Sequence, residues 1–350
     1  MLDYLIVGQG LAGTLLAYFL QKEGQKVLLI DKDYPRASSK FAAGIINPVT
    51  GRRYVKSWLI EDLLPFAKST YQAIEKVHGI SIFHEIPLVR ALFNPSEGNN
   101  WMLRLEDPTY VPFMKSKADL GAYQQATVAA YGYGEVLQSA RLDIPAFVNY
   151  FRSHWTETGE FIKESFQIED LEIIPDGVQY HAIKARQVVF CEGIQATQNP
   201  FFNYLPFNGS KGEILEVAIP DVQFESIFKH KLFIVPLANG NYWIGATNDK
   251  IFDHDLPTER GAAFLYSRLK SFLKTDFEIV GHYAAVRPTV RDRRPFLGRH
   301  PNHPQLAIFN GLGTKGASLA PFWAHHFVQH LLHHAPIDKE VDINRIKNFQ

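Results

Sequence analysis

Residues 2–31 constrain the fold of this chain more than any other stretch. Leu-Asp-Tyr-Leu-Ile-Val at 2–7 is a β-branched and aromatic run of strand length. Gly8-Gln9-Gly10-Leu11-Ala12-Gly13 follows without a gap, and an apolar helical stretch then runs from Thr14 to Gln21. A second apolar strand, Val27–Ile30, ends in Asp31. Strand, glycine turn, helix, strand and acid, in that order, form the layout of a dinucleotide-binding βαβ unit. The glycines serve the tight turn, the approach of a pyrophosphate and the close packing of helix on sheet. The N–H groups and dipole at the helix start favour phosphate charge. Asp31 stands near the spacing of roughly 20 residues at which a carboxylate accepts hydrogen bonds from ribose hydroxyls. An acid there disfavours the 2′-phosphate of NADP.

A chain of 350 residues has room for two domains, or for one large domain with an inserted lobe. Its 36 basic and 36 acidic residues cancel, so no global basic field recruits nucleic acid. A single cysteine, Cys191, excludes an intramolecular disulfide framework and fits a reducing compartment. The first apolar run reads as a strand of the fold rather than a signal peptide. No apolar run reaches the roughly 20 residues that a bilayer span needs. These features predict a cytoplasmic protein without a membrane partner.

The rest of the chain alternates two kinds of stretch. Val55–Val77 has helical periodicity, with Pro65 expected to kink or divide it. Ile80–Phe93 reads as one or two strands, and residues 94–120, polar and punctuated by Pro and Gly, as irregular structure. Ile144–Thr158 reads as helix, and Phe161–Ile174 and Val178–Ile183 as strands paired around Pro175-Asp176-Gly177. Gln187–Cys191 is a buried-type strand. Ile214–Ile219, Leu232–Pro236 and Tyr242–Ala246 alternate as in an antiparallel sheet, with a hairpin signal at Asn239-Gly240. Helix over Glu259–Thr275, strands over Phe277–Arg287 and Leu306–Asn310, and helix over Ser318–His333 complete the pattern. The expected fold is α/β in two domains: a Rossmann-like FAD-binding domain with an inserted antiparallel-sheet substrate domain. The expected boundaries are 1–80, 140–208 and 285–350 for the first, and 81–139 and 209–284 for the second.

A second anion-friendly turn, Gly-Leu-Gly-Thr-Lys-Gly at 311–316, precedes the last apolar helix. Two such turns at opposite ends of a chain suit FAD better than NAD. Further blocks lie between them: SSKFAAGIINP from Ser38, VVFCEG from Val188, GSKGE from Gly209, FIVPLANGNYWIGAT from Phe233, and VRPTVRDRRPFLG from Val286. In this order, with NGLGTKGASLAP from Asn310, they resemble the D-amino-acid oxidase/glycine oxidase family of FAD-dependent amine oxidases. The resemblance runs in blocks from residue 1 to about 330. The last two blocks are also similar to the FAD oxidase domain of the bifunctional tRNA wobble-uridine modification enzyme.

The resemblance implies roles by position. Gly8, Gly10, Leu11, Ala12, Gly13 and Asp31 match the FAD pyrophosphate and ribose fingerprint, with Lys32 on the adenosine side. Ser38, Ser39, Ala43, Gly44 and Ile45 match a loop along pyrophosphate and isoalloxazine, and Gly193 a turn beside the pyrophosphate. Gly311, Gly313, Thr314, Lys315 and Gly316 match a loop around the flavin pyrimidine. FAD would be held non-covalently and would carry the hard step. Hydride would pass from the substrate C–H to flavin N5, leaving an imine that hydrolyses. The electrons would go on to oxygen or another acceptor.

Arg287 occupies the family's carboxylate-binding position, and Lys315 is the second candidate cation. Glycine oxidase has an arginine at the position of Thr314 and a tyrosine at that of Phe233. The substrate therefore reads as a small amine or amino acid bulkier than glycine. The alternative is a stand-alone oxidase that removes a carboxymethyl group from a modified tRNA wobble uridine, with Arg52, Arg53, Arg291, Arg293 and Arg294 as a basic rim. Neutral net charge disfavours it. A third reading, a non-catalytic nucleotide-binding module, would need a closed apolar face over the flavin. Tyr54, Arg52 and Arg53 either border a pocket or form a solvated turn. Tyr242, Trp243 and Cys191 read as core. His325, His326, His330, His333 and His334 read as a solvated helix face, and no metal is expected.

Overall fold

The computed structural model describes residues 1–346 and divides into two compact units. The first comprises 1–42, 144–210 and 286 onwards. Its sheet runs in the order Phe161–Ile162, Val27–Ile30, Leu2–Val7, Ile183–Phe190, Gly177–Tyr180, Leu171–Ile174. The first four strands are mutually parallel, and the last two form an antiparallel hairpin. The central strand Ile183–Phe190 serves three neighbours. Its N-terminal half pairs with the hairpin, and Val188–Phe190 pair in parallel with Leu306–Ile308. Parallel strands covered on both faces read as continuous apolar runs. Accordingly Leu5, Ile6, Leu29, Ile30, Val188 and Phe190 are all buried. The helices Leu11–Lys22 and Gly316–His333 pack together, burying Leu15, Leu16, Leu20, Trp323 and Phe327.

The second unit comprises 43–143 and 211–285. Its eight-stranded sheet has the order Glu278–Arg287, Ser210–Ala218, Tyr242–Gly245, Phe233–Pro236, Ile227–Lys229, Leu88–Leu92, Gly132–Val136, Met114–Lys115. From Ser210–Ala218 to Met114–Lys115 it is antiparallel except where Ile227–Lys229 runs parallel to Leu88–Arg90. One face builds a core from Val89, Ala91, Leu215, Phe228, Ile234, Ile244, Leu265 and Leu269. Alternation sends Arg90, Lys229 and Phe233 to the other face. The turn at Asn239-Gly240 closes through Leu237 N–H to Asn241 O at 2.9 Å.

The boundaries differ from expectation at two segments. Residues 43–80 and 140–143, expected with the nucleotide-binding segments, belong to the second unit. Hydrogen bonding explains it. Ile45–Ile46 pairs with Ala140–Leu142, which also pairs with Phe83–Glu85. The Glu75 carboxylate accepts from the Ile82 and Phe83 N–H groups at 2.7 and 2.8 Å.

Two local expectations are also corrected. The helix Ile60–His78 runs unbroken through Pro65 and starts after Leu59, which sits in the left-handed region. The stretch expected to be irregular contains the helix Pro95–Leu105. Asn94 caps it by accepting from Glu97 N–H at 2.9 Å, and the Glu97 carboxylate returns to Phe93 N–H at 2.9 Å. The arrangement is close to a capping box, with the carboxylate bonding the N–H one residue before the cap and proline at N1, a start signal legible in Asn-Pro-Ser-Glu itself. Replacing Asn94 by Ala should cost about 1 kcal/mol of local stability. Amide exchange across Pro95–Leu105 should then quicken roughly fivefold, and unchanged exchange would show that the cap contributes nothing.

Candidate dinucleotide-binding site

In the first unit the strand Leu2–Val7 runs straight into the glycine turn and the helix from Leu11. Gly8 has φ +98°, a region side chains rarely adopt, and a Cβ there would lie 2.5 Å from the Cys191 carbonyl oxygen. A Cβ on Gly13 would lie 2.0 Å from the Gly8 carbonyl oxygen. Backbone therefore packs on backbone at both positions, which brings the helix start against the strand end. The helix has no side-chain cap at Gly10. Leu11 N–H donates to Ser39 Oγ at 3.1 Å, and Thr14 N–H to Gly10 O at 2.9 Å. Helix geometry leaves the Ala12 and Gly13 N–H groups facing out of the helix mouth.

The last helix opens beside the first. A Cβ on Gly316 would come within 3.0 Å of the Leu11 side chain, so two positive helix ends converge. Gly193, Asn310 and Gly311 join this region. Asn310 Nδ2 donates to Gly193 O at 2.8 Å, and Gly311 N–H donates to Asn310 Oδ1 at 2.8 Å. The buried Asn310 thereby ties together the two loops in which Gly193 and Gly311 lie.

Asp31 ends its strand as expected. Its carboxylate accepts from Gln9 N–H at 2.6 Å and Asp33 N–H at 2.5 Å. A carboxylate has about four acceptor sites, so two remain for ribose hydroxyls. Gln9, fully buried between the two glycines, donates to Thr14 Oγ1 and Val148 O and accepts from Arg152 Nε at 2.7 Å. Arg152 also pairs with Asp33, as do Lys40 and Lys163. Burial pushes the Asp33 carboxyl up, but these three cations outweigh it and hold the pKa at about 2. Lys32 lies 5.2 Å over the Tyr34 ring and near Glu192. Burial raises Glu192 to about 7, against the pull of Asn199 and Lys32.

The two candidate catalytic cations both lie in the first unit. Arg287 ends the strand Glu278–Arg287 half-buried, and burial lowers its pKa. Lys315 precedes the last helix, also half-buried. Burial, then Arg293 and Arg294, bring its pKa down to about 8. Gly313 N–H donates to Pro288 O at 3.2 Å, which fastens the Arg287 and Lys315 loops to each other. Thr314 is exposed. Ser38 and Ser39 belong to the first unit, whereas Ala43, Gly44 and Ile45 fall in the second. There Leu142 N–H donates to Gly44 O at 3.0 Å.

The other singled-out residues are also placed. Tyr54 is fully buried, and Arg52 and Arg53 are exposed. Tyr242 is core, its hydroxyl bonded to Phe224 N–H and Val222 O, whereas Trp243 is half-buried. Cys191 is buried, and burial pushes its thiol pKa far up. His330 and His326 spend ring nitrogens on Ala335 O and Asp338 N–H. Among the described residues no group of three His, Cys, Asp or Glu is placed to hold a metal, and no helix is long and apolar enough to cross a membrane.

Residues 3–330 match the family described as FAD dependent oxidoreductase (DAO). The chain belongs to this family. A bifunctional protein ThiO/ThiG of Nostoc sp. is 23% identical over 92% of this chain. The chain spans about half, 51%, of that protein's length. Iminodiacetate oxidase (IdaA) from Chelativorans sp. BNC1 superposes with a TM-score of 0.79 at 18% identity, covering 97% of this chain and 98% of that one. Glycine oxidase from Bacillus cereus gives 0.80 at 19%, covering 96% of each. These likenesses show the two-domain fold. The cofactor of a FAD-dependent oxidoreductase fits the cradle: close-packed glycines, two helix mouths for a pyrophosphate, and an acid at the end of the second strand.

Gly13→Val should abolish flavin binding, because its side chain meets the Gly8 carbonyl. Flavin absorbance retained on the purified variant at wild-type stoichiometry would refute that packing argument. Asp33→Asn should cost about 1–2 kcal/mol at pH 7. A depressed folded pKa stabilises above the unfolded value near 4 and loses that effect as pH falls toward 2. The deficit in denaturant melts should therefore shrink between pH 4 and pH 2, and a pH-independent deficit would exclude the ionic explanation.

Proposed function

We propose that this FAD-dependent oxidoreductase oxidises the C–N bond of an amino acid or N-substituted glycine. The observation that carries the reading is the pair of half-buried cations, Arg287 and Lys315, on loops joined by the Gly313-to-Pro288 hydrogen bond. A desolvated guanidinium binds a carboxylate in a fixed, bidentate orientation, which a hydrated one does less well. Arg287 would thereby set the substrate α-carbon in one orientation, and much of the rate of such reactions comes from orientation. FAD, when bound, would supply the acceptor for a hydride from the carbon next to nitrogen, with oxygen or another acceptor taking the electrons, and the imine left on the substrate would hydrolyse with water to a carbonyl and an amine. The names of glycine oxidase and iminodiacetate oxidase support an amine substrate, and iminodiacetate is a secondary amine. An RNA substrate has less support, because the net charge is zero and one arginine of the expected basic rim, Arg294, pairs with Glu340.

Anaerobic addition of glycine, sarcosine, D-amino acids or proline tests this directly. One or more should bleach the flavin absorbance, and failure of every amine would overturn the reading. Arg287→Ala should lower kcat/KM roughly 100-fold, about 3 kcal/mol, while flavin stays bound. Lys315 is charged below its lowered pKa of about 8 and neutral above it. If its charge assists, kcat/KM has an alkaline limb near pH 8 that Lys315→Arg removes. An unchanged limb in that variant would assign it to another group.

A further inference from the structure

The sheet of the second unit carries two cations side by side with no carboxylate between them. Lys229 is in register with Arg90 on the parallel neighbouring strand and with Phe233 on its other side. Residues so paired project from the same face about 5 Å apart. The row continues to Gly134 beyond Arg90 and to Gly245 beyond Phe233. Each glycine makes room for an indole. A Cβ on Gly134 would lie 2.2 Å from Trp101, and one on Gly245 would lie 2.6 Å from Trp243. Two cations therefore sit in a row flanked by aromatic rings.

Neither cation is matched by a carboxylate at ion-pair distance among the described residues, although the charge of Glu97 reaches Arg90. The Arg90 guanidinium lies 4.7 Å over the Tyr54 ring and donates to Gly51 O at 2.9 Å. The Lys229 ammonium lies 4.5 Å over the Phe233 ring and reaches Lys231 O at 3.5 Å, the limit of a hydrogen bond. Among the described residues neither forms an ion pair, and Glu97, whose charge is felt at Arg90, spends a carboxylate oxygen on Phe93 N–H. Burial, then the charge of Arg90, holds Lys229 down at about 8. Like charges set together and partly desolvated favour any anion that joins them.

We propose that Arg90 and Lys229 form a seat for a carboxylate of a small-molecule ligand. Bidentate Arg, point-charge Lys and flat apolar flanks suit a compact organic acid. The ligand is a free organic acid, held within the second unit.

Calorimetric titration of the FAD-loaded protein with malonate, at fixed ionic strength, tests the seat without turnover. Malonate should bind. Lys229→Met should weaken it at least about tenfold, and Lys229→Arg should restore it. Lys231→Met should leave it unchanged, since that exposed lysine is bonded to Ser271. No heat with the wild type, or equal affinity in Lys229→Met, would overturn the proposal. If Lys229→Met does not fold, Lys229→Gln gives the same reading. If no amine bleaches the flavin, the amine-oxidase reading falls while the malonate titration still decides the seat.

Discussion

The contact between Gly13 and the Gly8 carbonyl is the constraint on which the nucleotide-binding unit rests. With backbone against backbone there, the first helix begins at the end of the first strand. Its mouth then faces outward, and the packing admits no side chain at either position. The last helix takes its place from the first, with Gly316 against Leu11. Two partial positive charges then fall together, and an anion gains from both at once.

A cradle of this kind costs exposed charge and strained loops, and the unit offsets both with buried bonds. Asp31 is held by two N–H groups before any ligand arrives, so little ordering entropy is left for binding to remove. Gln9 spends its whole amide inside the protein, and through Arg152 it connects the turn to Asp33. Asn310 does for the second pair of loops what Gln9 does for the first. The cations over which chemistry is proposed are treated differently. Arg287 and Lys315 are left partly desolvated, with lowered pKa values, as groups that act on a ligand often are.

The sheet-and-helix alternation was legible because each signal is local. A continuous apolar strand, a glycine turn and an amphipathic helix all lie within a few residues. The helix from Pro95 was equally local, but its polar composition hid the Asn94 cap. Gln9 and Asn310 carry no local signal. Gln9 occupies a variable position between two glycines, and its partners lie at Thr14, Val148 and Arg152. The assignment of 43–80 was hidden for the same reason, since Ala140–Leu142, the strand that pairs with Ile45–Ile46, is far along the chain.

The sequence alone determined the class of the fold and the placing of the glycine turns, because period and spacing encode these directly, and its ordered blocks carried the resemblance that implied the family and FAD. Which cations become neighbours was decided only by tertiary structure. Arg90 and Lys229 are more than a hundred positions apart and meet through strand register, and Arg287 and Lys315 are joined by one backbone hydrogen bond. Register and burial depend on the whole core at once, and they set both the spacing of the charges and the dielectric in which they act.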